Sequence, residues 1–160
     1  MRWFPRLLTF TLAAFISILT LYSTAGSALA KILPTDPEQL VIETSQGPVS
    51  FSVELALTPD DRSTGLMNRE SMAADHGMLF RFEQTRQVLM WMKNTPLPLD
   101  MLFIDDGGTL VGIAKDTTPY SEDIIASPGS VRYVLELNAG TADAKGIAVG
   151  NKVRHRTIGE

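Results

Sequence analysis

The chain of 160 residues contains no cysteine and only two histidines. The lack of cysteine excludes a disulfide framework, a thiolate metal site, a cysteine nucleophile and a lipidated N-terminal cysteine. Positive charge is also scarce, because 14 Lys and Arg stand against 18 Asp and Glu and give a formal net charge of −4. An acidic balance disfavours nucleic acid as the partner, so we expect none. The length suits a single domain.

Familiar catalytic and nucleotide-binding motifs are absent as well. The sequence has no G-x-S-x-G, no H-E-x-x-H and no G-x-G-x-x-G after a strand. His76 lies in a turn and His155 in a basic tail, so both are expected to be solvated. We therefore predict no bound cofactor.

Only the N-terminus carries a long hydrophobic run. Residues 7–22 are apolar and uncharged, follow Arg2 and Arg6, and precede an Ala-Leu-Ala triplet that ends at Ala30. The run is shorter than the roughly 20 residues of a spanning helix, and the triplet fits a signal peptidase. We expect residues 1–30 to be an export signal cleaved after Ala30, which gives a periplasmic or secreted protein of formal charge −6. Contact with the membrane is expected only through the precursor.

The rest of the chain divides into an extended linker at residues 31–38 and one β-rich globular domain at residues 39–160. Pro34 and Pro37 mark the linker. Apolar and alternating runs predict about eight short strands, at residues 39–44, 49–57, 78–82, 88–92, 101–104, 109–114, 131–137 and 152–156. A short helix is expected from Thr58 to about Asn68, and a single turn at 140–145. This pattern predicts an α+β, mostly β fold: a compact, barrel-like antiparallel or mixed sheet.

One string of residues is specific enough to indicate a family. Met-Trp-Met-Lys-Asn-Thr at 90–95 is followed by Pro-Leu-Asp at 98–100, and Val-Leu-Glu-Leu-Asn-Ala-Gly occupies 134–140. These residues closely resemble the prokaryotic family catalogued as domain of unknown function 192, over residues 40–156. The resemblance implies a compact, mostly β, barrel-like domain that is often exported, and it implies no activity. Asn138 and Asn151 stand where the family usually has Pro and Asp, and a turn role is expected for Asn151.

A group of polar residues around this string forms our candidate site. Lys93 follows Trp91 on a predicted strand that runs into a loop, and Arg62 and Arg69 share a helix face if the helix continues. Arginine offers paired donors to a carboxylate or phosphate, and tryptophan offers a flat apolar wall. We predict a pocket for a small anionic ligand or another periplasmic protein, formed by Arg62, Arg69, Trp91, Lys93, Asn94 and Asp100.

The same residues also fit a scaffolding role. Arg62 or Arg69 would then pair with Asp100 or Glu54, and Asn94 would bond the loop backbone. Glu54 and Glu136 occupy outward strand positions, where a solvated face is expected.

Two further hypotheses remain open. A hydrolase-type enzyme would use Asp100 or Glu54 as a base, with Lys93 lowering its pKa and Arg62 stabilising an anion. A periplasmic Cu(I)-binding protein would use thioether ligands, which suit this soft ion, although methionines also fill cores. The methionines concerned are Met67, Met72, Met78, Met90, Met92 and Met101. The sequence does not indicate an oligomeric state.

Overall fold

The computed structural model describes residues 29–159. The predicted export signal at residues 1–30 therefore lies almost wholly outside the described residues. Within the described range, no helix combines the length and apolarity that crossing a membrane requires. The secondary structure elements are, in chain order, β1 (Leu40–Thr44), β2 (Gly47–Ala56), α1 (Pro59–Thr64), β3 (His76–Met90), β4 (Leu99–Ile104), β5 (Leu110–Ala114), β6 (Ile125–Asn138), α2 (Thr141–Ala144) and β7 (Lys152–Arg154).

The strands form one sheet in the order β5-β4-β6-β3-β2-β1-β7. The pair β2–β3 is parallel, and the other neighbouring pairs are antiparallel. The two ends of the sheet approach each other, because Thr109 bridges Lys152 and the Val153 N–H donates to the Gly108 carbonyl over 2.8 Å. The sheet is thus curled like a barrel, and the predicted fold class is confirmed.

Both faces of the sheet are buried. Successive residues of the central strands point to opposite faces of the sheet. Leu79, Leu102 and Leu135 belong to the cluster on one face, and the buried apolar residues next to them in sequence belong to the cluster on the other face. The inner cluster draws on all seven strands and comprises Leu40, Ile42, Phe51, Val53, Leu79, Leu102, Ile104, Leu110, Tyr133, Leu135, Leu137, Ala142, Ile147 and Val153. The outer cluster comprises Ala56, Leu66, Met78, Phe80, Phe82, Val88, Met92, Leu99, Met101, Phe103, Val131 and Val134.

β3 is one bent strand where the sequence predicted two. Its pairing with β6 jumps from Arg81↔Tyr133 to Arg86↔Val131, so five steps along β3 match only two along β6. The exposed polar residues between them bulge out of the ladder while the backbone stays extended. The strand also ends at Met90, so the prediction that it runs to residue 92 is wrong.

α1 begins at the predicted position. The Thr58 hydroxyl accepts from the Asp61 N–H over 3.1 Å, the Asp61 carboxylate accepts from the Thr58 N–H over 3.3 Å, and Pro59 occupies the first turn.

α1 ends earlier than expected. Gly65 adopts φ +48°, and a Cβ there would lie 3.1 Å from Cζ of Phe80, so glycine lets the chain turn closely over that ring. Because the helix stops at Thr64, the condition under which Arg62 and Arg69 would share a helix face is not met.

The segment predicted as a linker is extended and lies against the domain. The Asp36 N–H donates to the Val53 carbonyl over 2.7 Å, and Nζ of Lys31 lies 2.6 Å from Asp60 and 2.8 Å from Asp61. The backbone of this segment therefore runs beside β2 and covers part of the domain.

Candidate functional site

A cleft of about 270 Å³ opens beside the C-terminal end of α1, against β3 and β6. Its walls are mainly apolar and aromatic, with a few polar groups. The lining residues are Arg62, Ser63, Thr64, Gly65, Leu66, Met67, Phe80, Phe82, Leu89, Met90, Trp91, Lys93, Thr95 and Glu136.

The rim of the cleft carries two of the predicted site residues, Trp91 and Lys93. Trp91 is 44% exposed, and Nζ of Lys93 lies 5.2 Å from the centre of its ring. Lys93 is also 3.8 Å from the exposed carboxylate of Glu122. Such an exposed pair is weak, so the ammonium group remains available to an anion.

Arg62, a third predicted residue, lines the cleft as part of its wall. Its Nη1 donates to the carbonyls of Leu57 over 2.6 Å and Arg81 over 2.9 Å, and Nη2 lies 3.1 Å from Glu83. The guanidinium also stands 5.5 Å from the ring centre of Phe82. These contacts use both hydrogens of Nη1 and one of Nη2, and they fix α1 against β3.

Glu136 lies at the floor of the cleft and was not predicted as a site residue. It is 4% exposed, and its cross-strand neighbours Met78 and Met101 are buried. No hydrogen bond or ion pair joins its carboxyl to any other residue in the described part of the chain. Burial raises the pKa of Glu136 to about 8. The free carboxyl is therefore mostly protonated at neutral pH.

The expectation that Glu136 is solvated is wrong because both faces of β6 are covered. The signal was present in the sequence: residues 133–137 read Tyr-Val-Leu-Glu-Leu, an apolar run interrupted by one carboxylate. A central strand of this kind buries every side chain, and an acid within it is unusual.

Arg69, in contrast, lies outside the cleft lining, in a buried cluster around Glu54. Its Nη2 is 2.8 Å from Glu54 Oε2 and 2.8 Å from the Lys31 carbonyl. Glu54 also lies 3.0 Å from Nε2 of His76 and accepts from the Leu33 N–H over 2.8 Å. Burial alone raises the pKa of Glu54, but the hydrogen bonds from Arg69, His76 and Leu33 outweigh it and lower that pKa. The Arg69–Glu54 scaffold pair is confirmed, and the solvated position expected for Glu54 is wrong.

Asp100 is also buried away from the cleft lining. Its Oδ1 accepts from the Asp116 N–H over 3.0 Å, and its Oδ2 accepts from the Ala142 N–H over 2.9 Å, which ties α2 to β4. The structure therefore does not bring Asp100 together with Arg62 and Lys93 as the hydrolase hypothesis requires.

Asn94 stands beside the cleft rather than in its lining. It adopts φ +54°, its carbonyl accepts from the Asn68 N–H over 2.7 Å, and its Nδ2 lies 3.9 Å from Sδ of Met67. These contacts join the two loops that border the cleft.

The other singled-out polar residues hold the fold. His155 is buried, bonded to Thr157 and to the Glu38 carbonyl, so its predicted solvated position is wrong. Asn151 accepts from the Ala148 N–H over 2.8 Å, which confirms its turn role. Asn138 donates to the carbonyl of Met72 over 3.0 Å and fastens the loop before β3.

The methionines pack mainly in the outer cluster. Met78, Met92 and Met101 are buried, and Sδ of Met92 accepts from the Thr117 hydroxyl over 3.1 Å. Met67 and Met90 line the cleft. Across residues 29–159, no group of three His, Cys, Asp or Glu side chains could hold a metal ion. The Cu(I) hypothesis stays a prediction.

Fold and cleft define a curled, mostly β domain with a lined cavity on its outer face. The chain matches the family model of domain of unknown function 192, described as an uncharacterized ACR, over residues 40–155, and belongs to that family. The family resemblance is thereby confirmed.

The solved structures that this chain resembles include the following two. A Sinorhizobium meliloti 1021 protein, provisionally described as a transcription regulator, is 48% identical with a TM-score of 0.73 over 78% of this chain and 97% of that one. A Novosphingobium aromaticivorans DSM 12444 protein of unknown function is 29% identical with a TM-score of 0.73 over 81% of this chain and 99% of that one. No curated protein matches the chain.

Proposed function

We propose that the domain is a binding module that takes a small organic anion into the cleft. The observation that carries the proposal is a cavity of about 270 Å³ whose apolar walls surround a few polar groups. Ligand sites are typically built in this way. The flat apolar part of the ligand lies against Trp91 and Phe80, and its anionic group contacts Lys93.

The difference between the two cations of the cleft lining supports this orientation. Arg62 already donates to two backbone carbonyls and faces Glu83. Among the described residues, Lys93 contacts only the exposed carboxylate of Glu122, at 3.8 Å, and the ring of Trp91. An arriving carboxylate therefore gains a charge-assisted hydrogen bond from Lys93 without breaking a structural contact.

Binding of 4-methylbenzoate, a flat aromatic carboxylate, tests the proposal. Titration followed by NMR is expected to give saturable shifts at the amides of Gly65 and Trp91. Replacing Lys93 by Met weakens binding about tenfold, since a hydrogen bond to a charged group contributes about 1.5–3 kcal/mol.

A matched control is Lys145→Met. Nζ of Lys145 also stands near an aromatic ring, 5.9 Å from the centre of Phe51, but Lys145 does not line the cleft. This variant should bind as the wild type does. Equal weakening by both variants, or no saturable shift in the wild type, contradicts the proposal.

A protein partner is the second candidate, favoured by exposed apolar side chains near the rim. Leu89, Tyr120 and Ile124 are exposed, and the Met92 N–H donates to the Ser121 carbonyl, which brings their segments together. Exposed apolar patches mark interaction sites. Cross-linking in a periplasmic extract tests it: the double variant Tyr120→Ser, Ile124→Ser should lose an adduct that the wild type forms while still binding 4-methylbenzoate.

We do not propose that this chain regulates transcription, which is the provisional description of the Sinorhizobium relative. A helix that reads the major groove needs several turns, whereas the helices of the described chain span six and four residues. The formal charge of −4 also disfavours phosphate contacts.

We further propose that the module acts after export, as its N-terminal sequence indicates. Cleavage after Ala30 keeps the contacts of Lys31 with Asp60, Asp61 and Arg69. N-terminal sequencing of protein from the producing cell should begin at Lys31, and a sequence that begins at Met1 contradicts cleavage.

A further inference from the structure

We infer that the ligand of the cleft is a zwitterion, with an ammonium group held by Glu136 at the floor and an anionic group held by Lys93 at the rim. The inference rests on the proposed function and specifies its ligand class. The observation behind it is a buried carboxyl group that has no hydrogen-bond partner among the described residues.

The carboxyl of Glu136 lies in the cleft lining and has no partner among the residues that the structure describes. Burying a polar group without a hydrogen bond destabilises a fold. Glu54 shows how this domain treats a carboxylate that holds structure, since it receives bonds from Arg69, His76 and Leu33. The vacant bonding positions of Glu136 are therefore open to a molecule in the cleft.

The charge of that molecule follows from what surrounds the floor. The two cations of the lining are already placed: Arg62 is turned to the carbonyls of Leu57 and Arg81, and Lys93 stands at the rim. Among residues 29–159, no hydrogen bond or ion pair from a cation reaches the Glu136 carboxyl, and an anion there would meet a carboxyl. An ammonium group supplies the missing charge-assisted hydrogen bond.

The walls also favour a cation at the inner end. Phe80, Phe82 and Trp91 line the cleft, and aromatic ring faces attract ammonium groups. A ligand that places its ammonium group at the floor and its carboxylate at Lys93 satisfies both ends of the cleft. A flat or short apolar body joins the two charges across the aromatic walls.

The proposed binding moves one proton. Free Glu136 is mostly protonated at pH 7 because burial raises its pKa to about 8. When the ammonium group arrives, the Glu136 O–H bond breaks, the proton passes to solvent, and the carboxylate pairs with the ligand cation. Nearly one proton is therefore released for each zwitterion bound at pH 7.

Calorimetry with three matched probes tests the inference. The probe 4-(aminomethyl)benzoate carries both charges, 4-methylbenzoate carries only the carboxylate, and benzylamine only the ammonium group. We expect the zwitterion to bind about tenfold more tightly than either single ion. Its binding enthalpy at pH 7 should vary with the ionisation enthalpy of the buffer, which reports the released proton.

The variant Glu136→Gln keeps the size of the side chain and removes its ability to ionise. It should lose the tenfold preference and the proton release while it still binds 4-methylbenzoate. Retained binding of that probe also shows that the variant is folded. Glu70→Gln, at an exposed position outside the cleft lining, is the matched control and should keep both properties.

Two outcomes separate this inference from the proposed function. Equal binding of 4-(aminomethyl)benzoate and 4-methylbenzoate, without proton release, overturns the zwitterion and leaves the anion-binding module standing. Failure of all three probes to bind contradicts both.

Discussion

Glu54 on β2 and Glu136 on β6 are buried glutamates of the same sheet in opposite surroundings. Glu54 faces Arg69, His76 and the Leu33 N–H, and its pKa is lowered. Glu136 is flanked by methionines, and its pKa is raised. The buried carboxylate of Glu54 thus has partners that compensate its charge, and it holds the N-terminal segment in place. Among the described residues Glu136 has no such partner, and it lines the cleft.

The largest expected effect comes from breaking the paired side of this comparison. Arg69→Met leaves the Glu54 carboxylate buried without its main partner, which should lower the free energy of unfolding by about 3–5 kcal/mol. Urea denaturation measures the change. Arg154→Met removes an exposed partner of Glu43 and is the control, with an expected loss below about 1 kcal/mol. Equal losses in the two variants contradict a structural role for the buried pair.

The next largest effect is a pH dependence on the unpaired side. Between the unfolded pKa of 4.5 and the folded pKa of about 8, the unfolded chain has released the Glu136 proton and the folded chain retains it. The stability of the wild type therefore falls as pH rises through this window, by up to about 1.4 kcal/mol per pH unit.

Glu136→Gln lacks this titration. The free energy of unfolding of the variant, relative to that of the wild type, should therefore increase from pH 5 to pH 8. Urea denaturation across this range gives the difference, with Glu70→Gln as the control. A difference that stays constant with pH would show that Glu136 ionises normally in the folded protein. The lowered pKa of Glu54 acts in the opposite sense, because its stabilisation is lost as pH falls.

A smaller effect distinguishes structural from ligand-binding carboxylates. Asp100→Ala leaves the N–H groups of Asp116 and Ala142 without their acceptor and should cost about 2 kcal/mol of stability. Because Asp100 does not line the cleft, the folded variant should bind 4-methylbenzoate as the wild type does. Loss of binding in a folded variant would show instead that Asp100 belongs to the binding site.

Most of the fold could be predicted from local patterns. Apolar and alternating runs located β2, β4 and β5, and the start of α1 was expected at Thr58. β3 could not be predicted as one strand, because the polar residues of its bulge resemble a loop. Local sequence carries no information on which strand lies beside a bulge.

The candidate site was only partly accessible from sequence. Trp91 and Lys93 could be placed at a strand end, where binding groups are common. Arg69 and Asp100 are of residue types that are common in binding sites. Only the tertiary contacts show that Arg69 is paired with Glu54 and that Asp100 accepts from two backbone N–H groups. Glu136 was missed because period-two alternation assigns it to the face opposite the inner cluster, and a second cover on that face is a property of the whole fold.

The most direct measurement is an NMR titration of the side-chain carboxyl carbons of Glu54 and Glu136 in the free protein. Glu136 should titrate at about pH 8, and Glu54 should remain ionised below the ordinary glutamate pKa of 4.5. A Glu136 carboxyl that titrates near pH 4.5 would contradict a buried, unpartnered acid at the floor of the cleft.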